Sequence, residues 1–172
     1  MSYLFRRVVP VLALACAAPV AQAQGAAPCA APAFRAFDFW LGAWEVRTPA
    51  GAVAGTSRIS SILGGCAIRE EYTGQAPYRG ESLNAWDTRT RRWHQTWMDN
   101  GGLVATFDGG LRDGHMVLEG DGADPQGKPF RGRMTFTPLP DGRVRQHWER
   151  SYDAGTTWST MFDGYYTRKP AP

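Results

Sequence analysis

Hydrophobic and polar side chains alternate with a period of two along most of the chain after residue 41. In the segment 92–98, Trp93 and Trp97 fall on one face and His94 on the other. Such alternation is typical of a β-strand with one buried face. Groups of Gly, Pro, Asp, Asn and Ser interrupt the pattern about every 8 to 12 residues, which is typical of a sandwich or barrel. The pattern predicts ten strands, at residues 43–47, 53–62, 66–72, 81–86, 92–98, 103–107, 115–119, 130–137, 143–151 and 159–168.

The order of these elements predicts the architecture. One helical turn is predicted at residues 34–41, and no later window carries a sustained helical period. Short turns imply antiparallel neighbours joined as a meander, and closing such a sheet removes its exposed edges. We therefore predict an all-β fold, an antiparallel up-and-down β-barrel of about ten strands with a short N-terminal helical turn, spanning residues 34–170 as one domain.

The N-terminal segment has the features of an export signal. Arg6 and Arg7 precede an apolar stretch at residues 8–20, and Ala21-Gln22-Ala23 is an A-x-A cleavage pattern. We interpret residues 1–23 as a signal peptide and residues 24–33 as a flexible leader, so that the protein is periplasmic or secreted after cleavage near Ala23. The apolar stretch is shorter than the roughly 20 residues of a spanning helix, so we predict no stable membrane insertion.

Cysteine content then predicts a cross-link. Of the three cysteines, only Cys29 and Cys66 remain after cleavage, and an exported pair in an oxidising compartment usually forms a disulfide. A metal site or redox pair would require C-x-x-C spacing or nearby histidines, which neither cysteine has. We therefore predict a Cys29–Cys66 disulfide and no metal site.

Composition and charge exclude several classes of protein. The chain is 43% hydrophobic and 20% charged, which is ordinary for a globular domain and unlike a disordered, collagen-like or polytopic membrane protein. Removal of Arg6 and Arg7 leaves 17 basic and 16 acidic side chains with no basic run, so nucleic acid is not an expected partner. The oligomeric state stays open.

Several sequence stretches resemble known families. FDFWLGAW, ending at Trp44, resembles the start of lipocalin and related calycin barrels, which implies that Trp44 closes one barrel end and that Arg168 lies over it. FDFWLGAWEV, GGCAIREEY, WHQTWMD, RVRQHWERSYDAGTTW and FDGYYTR together resemble uncharacterised exported bacterial proteins, over most of residues 29–168. Nitrobindins are related ten-stranded barrels that bind haem through a late histidine. The last strand here offers Met161, Tyr165 and Tyr166 but no histidine, so no haem or other cofactor is predicted.

A second resemblance lies between two predicted strands. Residues 151–158 match the S-x-D-x-G-x-T-W pattern of the Asp-box in sialidase propellers. A propeller needs several repeated blades, and this chain has one copy and no evident repeats. We therefore interpret the motif as a hairpin in which Asp153 accepts hydrogen bonds from backbone amides, Gly155 takes a left-handed conformation and Trp158 packs beneath.

Strand parity selects the interior polar residues of the predicted barrel, because alternate residues face inward. Gln95 lies between Trp93 and Trp97, and Gln146 shares a face with Val144 and Trp148. Buried amides require hydrogen bonds, from each other, from water or from a ligand. By the same parity the histidines His94 and His147 face outward, and His115 is interpreted as solvated or edge-lying.

Glu70 falls on the same face as Cys66, Ile68 and Tyr72, so we expect an interior carboxyl. An ion pair with Arg150 or Arg168 would satisfy it; alternatively Glu70 is a polar anchor or a general acid/base in a cavity. No G-x-S-x-G elbow, P-loop or H-E-x-x-H pattern is present.

The seven tryptophans are many for one small domain. Most are expected in the core, and some in a cavity with apolar walls and a few polar groups, as in small-molecule pockets. The leading hypothesis is non-covalent binding of a small hydrophobic or aromatic molecule. The alternatives are an isomerase, cyclase or hydratase with Glu70 as catalytic acid/base, and a filled barrel that binds a partner protein. The predicted ligand-binding residues are Glu70, Tyr72, Trp86, Gln95, Trp97, Gln146, Trp148 and Tyr165.

Overall fold

The computed structural model describes residues 28–170, and these form a closed β-barrel. A four-residue helix α1 (Pro32–Arg35) and a 3-10 turn (Asp38–Trp40) precede the sheet. The ten strands are β1 (Gly42–Arg47), β2 (Val53–Ile62), β3 (Ala67–Gly74), β4 (Arg79–Asp87), β5 (Arg92–Asp99), β6 (Val104–Arg112), β7 (His115–Ala123), β8 (Pro129–Pro138), β9 (Val144–Ser151) and β10 (Ser159–Arg168). Each strand pairs antiparallel with its neighbours in sequence, and β1 pairs with β10. The all-β barrel prediction is therefore confirmed.

Two predicted strands ended four or five residues too early. β6 continues to Arg112 and β7 to Ala123, through glycines that the sequence pattern had assigned to turns. A Cβ on Gly109 would lie 2.0 Å from the carbonyl oxygen of Val117, and a Cβ on Gly120 would lie 2.0 Å from that of Thr106. These glycines permit close approach of neighbouring strands, so inside a sheet they mark tight packing and not a turn.

The N-terminal segment covers one end of the barrel. Phe37 stacks on Trp40 at a ring-centroid distance of 5.0 Å and meets the edge of Phe136 at 4.8 Å. The indole N–H of Trp93 donates to the carbonyl of Ala33 at 3.1 Å. This end of the barrel is therefore closed by aromatic packing. The helix begins at Pro32, inside the predicted leader; the predicted signal peptide (1–23) and residues 24–27 of the leader lie outside the described residues.

The disulfide predicted from the sequence is present. It joins Cys29 to Cys66 and so attaches the N-terminal segment to the connection between β2 and β3. Arg35 strengthens the attachment by donating to the carbonyl of Gly65. A disulfide is typical of proteins outside the reducing cytoplasm. Within residues 28–170, no helix is long and apolar enough to cross a bilayer.

Trp44 and Arg168 seal the closed end, as the sequence resemblance implied. The Arg168 guanidinium lies 4.4 Å from the Trp44 ring centroid and donates to the carbonyl of Leu41 at 3.0 Å. The Trp44 indole N–H donates to the carbonyl of Trp40 at 2.9 Å. The pair therefore connects the last strand of the barrel to the N-terminal turn.

We expect Arg168→Ala to lower the free energy of unfolding by about 1 kcal/mol, because it removes a cation–π contact at a solvent-accessible site. Urea unfolding monitored by tryptophan fluorescence measures the change. Arg58→Ala is the matched control, since Arg58 is an exposed arginine on β2, and a surface change there is expected to stay within about 0.5 kcal/mol. Equal losses in the two variants would contradict a specific role for Arg168.

Candidate functional site

A cavity of about 950 Å³ lies inside the barrel at the end opposite the N-terminal segment. Its rim includes Thr48 and Pro49 from the β1–β2 turn and Gln75 and Tyr78 from the β3–β4 turn. These turns join strands at the opposite end of the meander from the β2–β3 connection, where Cys66 lies. The volume is within the range of known small-molecule pockets, roughly 300 to 1,000 Å³.

Aromatic side chains form much of the cavity wall. Tyr72 is central to this wall, since its ring meets Tyr78, Trp97 and Phe162 edge-on at centroid distances of 6.2 to 6.3 Å. Edge-to-face packing of this kind holds rings in fixed positions. The six aromatic lining residues are Tyr72, Tyr78, Trp97, Trp148, Phe162 and Tyr166.

Seven buried polar residues cross the barrel interior and form what we call the interior polar network. Each occupies an inward-facing position of its strand and is at most 7% exposed. Buried polar groups are usually paired with one another, with water or with a ligand. The members of the network are Ser57, Glu70, Ser82, Asn84, Gln95, Gln146 and Tyr166.

Glu70 is the ionisable centre of this network and is only 2% exposed. One carboxyl oxygen accepts from the Ser57 hydroxyl at 2.9 Å and lies 3.4 Å from the Tyr166 hydroxyl oxygen, and the other accepts from Ser82 at 3.0 Å. All its side-chain partners among residues 28–170 are therefore neutral hydroxyl groups. Glu70 lines the cavity, so a bound molecule can reach it.

The two arginines considered as partners for Glu70 are used elsewhere. Arg168 stacks on Trp44 at the closed end, and the guanidinium of Arg150 lies 5.3 Å from the Tyr152 ring. The expectation of an ion pair with Arg150 or Arg168 is thus wrong. Both arginines lie near the ends of their strands, whereas Glu70 lies in the middle of β3.

Burial raises the pKa of Glu70 from an ordinary value of 4.5 to about 7, and hydrogen bonds from Ser57, Ser82 and Tyr166 oppose that rise. The pKa of Tyr166 is also raised, first by burial and then by the negative charge of Glu70. The same two causes raise the pKa of Tyr72. Glu70 therefore exchanges its proton near neutral pH, while both tyrosines stay protonated there.

Tyr166 has one phenolic proton and two neighbouring acceptors, Gln146 and Glu70. The contact to the Gln146 side-chain oxygen is the shorter one, so we assign the proton to it. A neutral Glu70 then donates its own proton to the Tyr166 oxygen, and an ionised Glu70 cannot. The network is therefore more completely paired when Glu70 is protonated, in agreement with its raised pKa.

The two interior glutamines do not bond to each other. Gln95 donates to the Asn84 side-chain oxygen at 2.7 Å, and Gln146 donates to the Met134 sulfur at 3.1 Å. Three strands separate β5 from β9 around the barrel, so the two amides are on different sides of the interior. The side-chain oxygen of Gln95 and the indole nitrogens of Trp97 and Trp148 have no hydrogen-bond partner within the described part of the chain.

Five of the eight predicted ligand-binding residues lie together along the cavity, and three do not. The lining residues are Glu70, Tyr72, Trp97, Gln146 and Trp148. Trp86 and Gln95 are outside the set that lines the cavity: Trp86 packs half-buried against the core, and Gln95 is buried within the network. Tyr165 faces outward, with the guanidinium groups of Arg143 and Arg145 at 5.4 and 5.7 Å from its ring.

Tyr166, not Tyr165, is the inward-facing tyrosine of β10. The sequence could have identified Tyr166, because residues 166 and 168 share one face of a strand. The contact implied between Arg168 and Trp44 places Arg168, and therefore Tyr166, on the inner face. Sequence reasoning also missed Ser57, Ser82 and Asn84, since serine and asparagine have no distinctive signal inside a strand. Met134 and Phe162 complete the apolar wall.

His94 and His147 lie on the outer face, as parity predicted, and His115 is part-buried and hydrogen-bonded to the Thr137 hydroxyl at 3.0 Å. His94 forms hydrogen bonds with Asp108 at 2.9 Å and with Thr96 at 3.0 Å, and His147 forms one with Thr160 at 2.9 Å. Within the described range, no three His, Cys, Asp or Glu residues are grouped so as to hold a metal ion.

The hairpin between β9 and β10 has the geometry predicted for it. Asp153 accepts from the backbone N–H of Thr157 at 2.8 Å, and Gly155 has a φ of 95°. The hydroxyl and backbone N–H of Thr157, with the Ser151 hydroxyl, lower the pKa of Asp153 to about 2. Trp158 packs beneath the Arg133 guanidinium at 4.0 Å on the outer surface. These contacts stabilise a turn and lie outside the cavity.

Fold and site together define a closed ten-stranded antiparallel barrel with one end sealed by aromatic packing and an internal cavity near the other. The chain belongs to the family described as "Protein of unknown function (DUF1579)", whose profile matches residues 40–168. The match covers every strand, from the aromatic turn before β1 to the end of β10. No curated protein matches the chain.

Proposed function

We propose that this protein is an exported, calycin-like barrel that binds a small hydrophobic or aromatic molecule non-covalently and needs no cofactor for this. The observation that carries the proposal is the cavity of about 950 Å³ with aromatic walls and the Glu70–Gln146–Tyr166 group in its lining. Apolar walls supply the favourable burial, and a few fixed polar groups orient one end of a ligand. A cavity of this size inside the barrel favours small-molecule binding over a filled, partner-binding barrel.

The compartment proposed for this activity is the periplasm or the extracellular space. The Cys29–Cys66 disulfide supports it, because such bonds persist in oxidising compartments. The proposal includes removal of the signal peptide at residues 1–23 near Ala23. Mass measurement of the protein recovered from the exported fraction would test that cleavage, and a mass that includes residues 1–23 would contradict it.

Binding is tested with the fluorescent probe N-phenyl-1-naphthylamine, which is neutral and aromatic. We expect enhanced, blue-shifted probe emission with saturation at one probe per chain. Trp148→Ala removes an aromatic wall and is expected to weaken binding by about fivefold or more. Trp158→Ala is the matched control, because Trp158 packs on the outer hairpin and is expected to leave the affinity unchanged. Absence of saturable binding to the wild type, for this probe and for 1-naphthylmethylamine, 1-naphthalenemethanol and 1-naphthoate alike, would refute the proposal.

A second candidate function is catalysis of the isomerase, cyclase or hydratase type. It is favoured by the burial that raises the pKa of Glu70 to about 7, where a carboxyl group can both donate and accept protons. Glu70→Gln separates the two candidates. In a binder the substitution changes affinity, whereas in an enzyme it abolishes turnover while the substrate still binds.

A further inference from the structure

Within the described residues, the charged residues that contribute to the cavity lining are both acidic: Glu70 and Asp163. Asp163 already has a cation, since Arg145 donates to its two oxygens at 2.8 and 2.7 Å. Among residues 28–170, Glu70 has only hydroxyl partners. The described lining of the cavity thus has one carboxyl group without a counter-ion and contains neither lysine nor arginine.

A buried carboxylate is costly unless a positive group compensates it. Ser57 and Ser82 donate hydrogen bonds but carry no charge, so they compensate only part of this cost. A protonated amine placed next to Glu70 would supply a charge-assisted hydrogen bond, the strongest type available to a carboxylate. The polar group best matched to this site is therefore a cation.

The aromatic walls of the cavity also favour a positively charged ligand. Aromatic faces attract cations through the negative face of the ring, and Tyr72, Trp97, Trp148 and Tyr166 line the cavity together with Glu70. An anionic ligand would meet the ring faces and Glu70 with no lining cation to receive it. We propose that the ligand is a small organic cation, an amine on an aromatic or apolar body, whose ammonium group pairs with Glu70. This inference rests on the proposed function and adds the charge of the ligand to it.

The test uses three probes with one ring system and different charges: 1-naphthylmethylamine, 1-naphthalenemethanol and 1-naphthoate. Isothermal titration calorimetry is performed at about pH 8, where Glu70 is mostly ionised. We expect the amine to bind about tenfold or more tightly than the alcohol, from one charge-assisted hydrogen bond, and the carboxylate to bind most weakly. An amine affinity no higher than that of the alcohol would overturn the inference.

Substitutions then test whether Glu70 is responsible. Glu70→Gln keeps the shape of the side chain and is expected to abolish the preference for the amine over the alcohol. Glu71→Gln is the matched control, because Glu71 is the next residue of β3 and is exposed on the outer face. A preference for the amine that survives in Glu70→Gln would assign recognition to the aromatic walls alone and would contradict pairing with Glu70.

A third measurement needs only the wild-type protein. The groups that face Glu70 are Ser57 from β2, Ser82 from β4, Tyr166 from β10 and Tyr72 on its own strand, and the two tyrosines stay protonated near neutral pH. Below about pH 7, amine binding should therefore expel a proton from Glu70 alone, detected as a buffer-dependent binding enthalpy. The alcohol should expel none. Amine binding without proton release would overturn the inference even if Glu70→Gln does not fold.

These outcomes separate this inference from the proposed function. If neither N-phenyl-1-naphthylamine nor any of the three naphthyl probes binds, the proposed function fails. If the alcohol binds and the amine binds no more tightly, the cavity is a binding site and only the charge assigned to its ligand is wrong.

Discussion

Removal of the Cys29–Cys66 disulfide is expected to lower the free energy of unfolding by about 4 kcal/mol. The two cysteines are 37 positions apart, and a cross-link across a loop of that length restricts the unfolded chain. The bond also holds the segment that carries Phe37 and Trp40, both fully buried at the closed end. Urea unfolding of the Cys29→Ser/Cys66→Ser double variant, followed by tryptophan fluorescence, measures the loss.

Reduction provides the control for this prediction. With excess dithiothreitol the wild type should unfold at the same urea concentration as the double variant, because neither then has the bond. A double variant within about 1 kcal/mol of the oxidised wild type would contradict the stabilising role. The cavity is at the other end of the barrel, so binding of N-phenyl-1-naphthylamine to the folded double variant should match that of the wild type.

Glu70 is expected to make the protein less stable as the pH rises from 4.5 to about 7. Burial raises the pKa of Glu70 in the folded protein to about 7 from an ordinary value of 4.5, so between these values the unfolded chain releases a proton that the folded protein keeps. The contribution of Glu70 to the free energy of unfolding is fully present below pH 4.5 and is lost as the pH rises through about 7. A shift of this size corresponds to about 3 kcal/mol.

The measurement compares Glu70→Gln with the wild type at pH 4.5 and at about pH 8. Glutamine does not titrate, so the stability of the variant relative to the wild type should increase by about 3 kcal/mol between these pH values. The difference removes the contributions of other carboxyl groups, such as Asp153 and Asp163, whose pKa values are lowered. Glu71→Gln, which removes a carboxyl group on the outer face of the same strand, is the matched control. A relative stability of Glu70→Gln that does not change with pH would contradict the raised pKa.

The sequence pattern predicted the fold well because local rules determine it. Period-two alternation and turn spacing gave ten strands, and two of them, Val53–Ile62 and Ser159–Arg168, have the predicted bounds. Parity placed Glu70, Gln95 and Gln146 inside the barrel, where each is buried. The prediction of turns at Gly109 and Gly120 was wrong. In the sequence, a glycine that permits close approach of two strands cannot be distinguished from a glycine in a turn.

Only part of the candidate site could be predicted from the sequence pattern. The sequence by itself determined which side chains of most strands point inward, since that depends on residues two positions apart. Only the tertiary structure decided which end of the barrel is open and that Tyr166, not Tyr165, contributes to the interior. It also decided that the partners of Glu70 within residues 28–170 are hydroxyl groups and not arginines. The partners of Glu70 come from β2, β4 and β10, and the nearest of them in sequence is 12 residues away. Alternation along a strand reports the face on which a side chain lies, but its neighbours across a barrel depend on how all ten strands close.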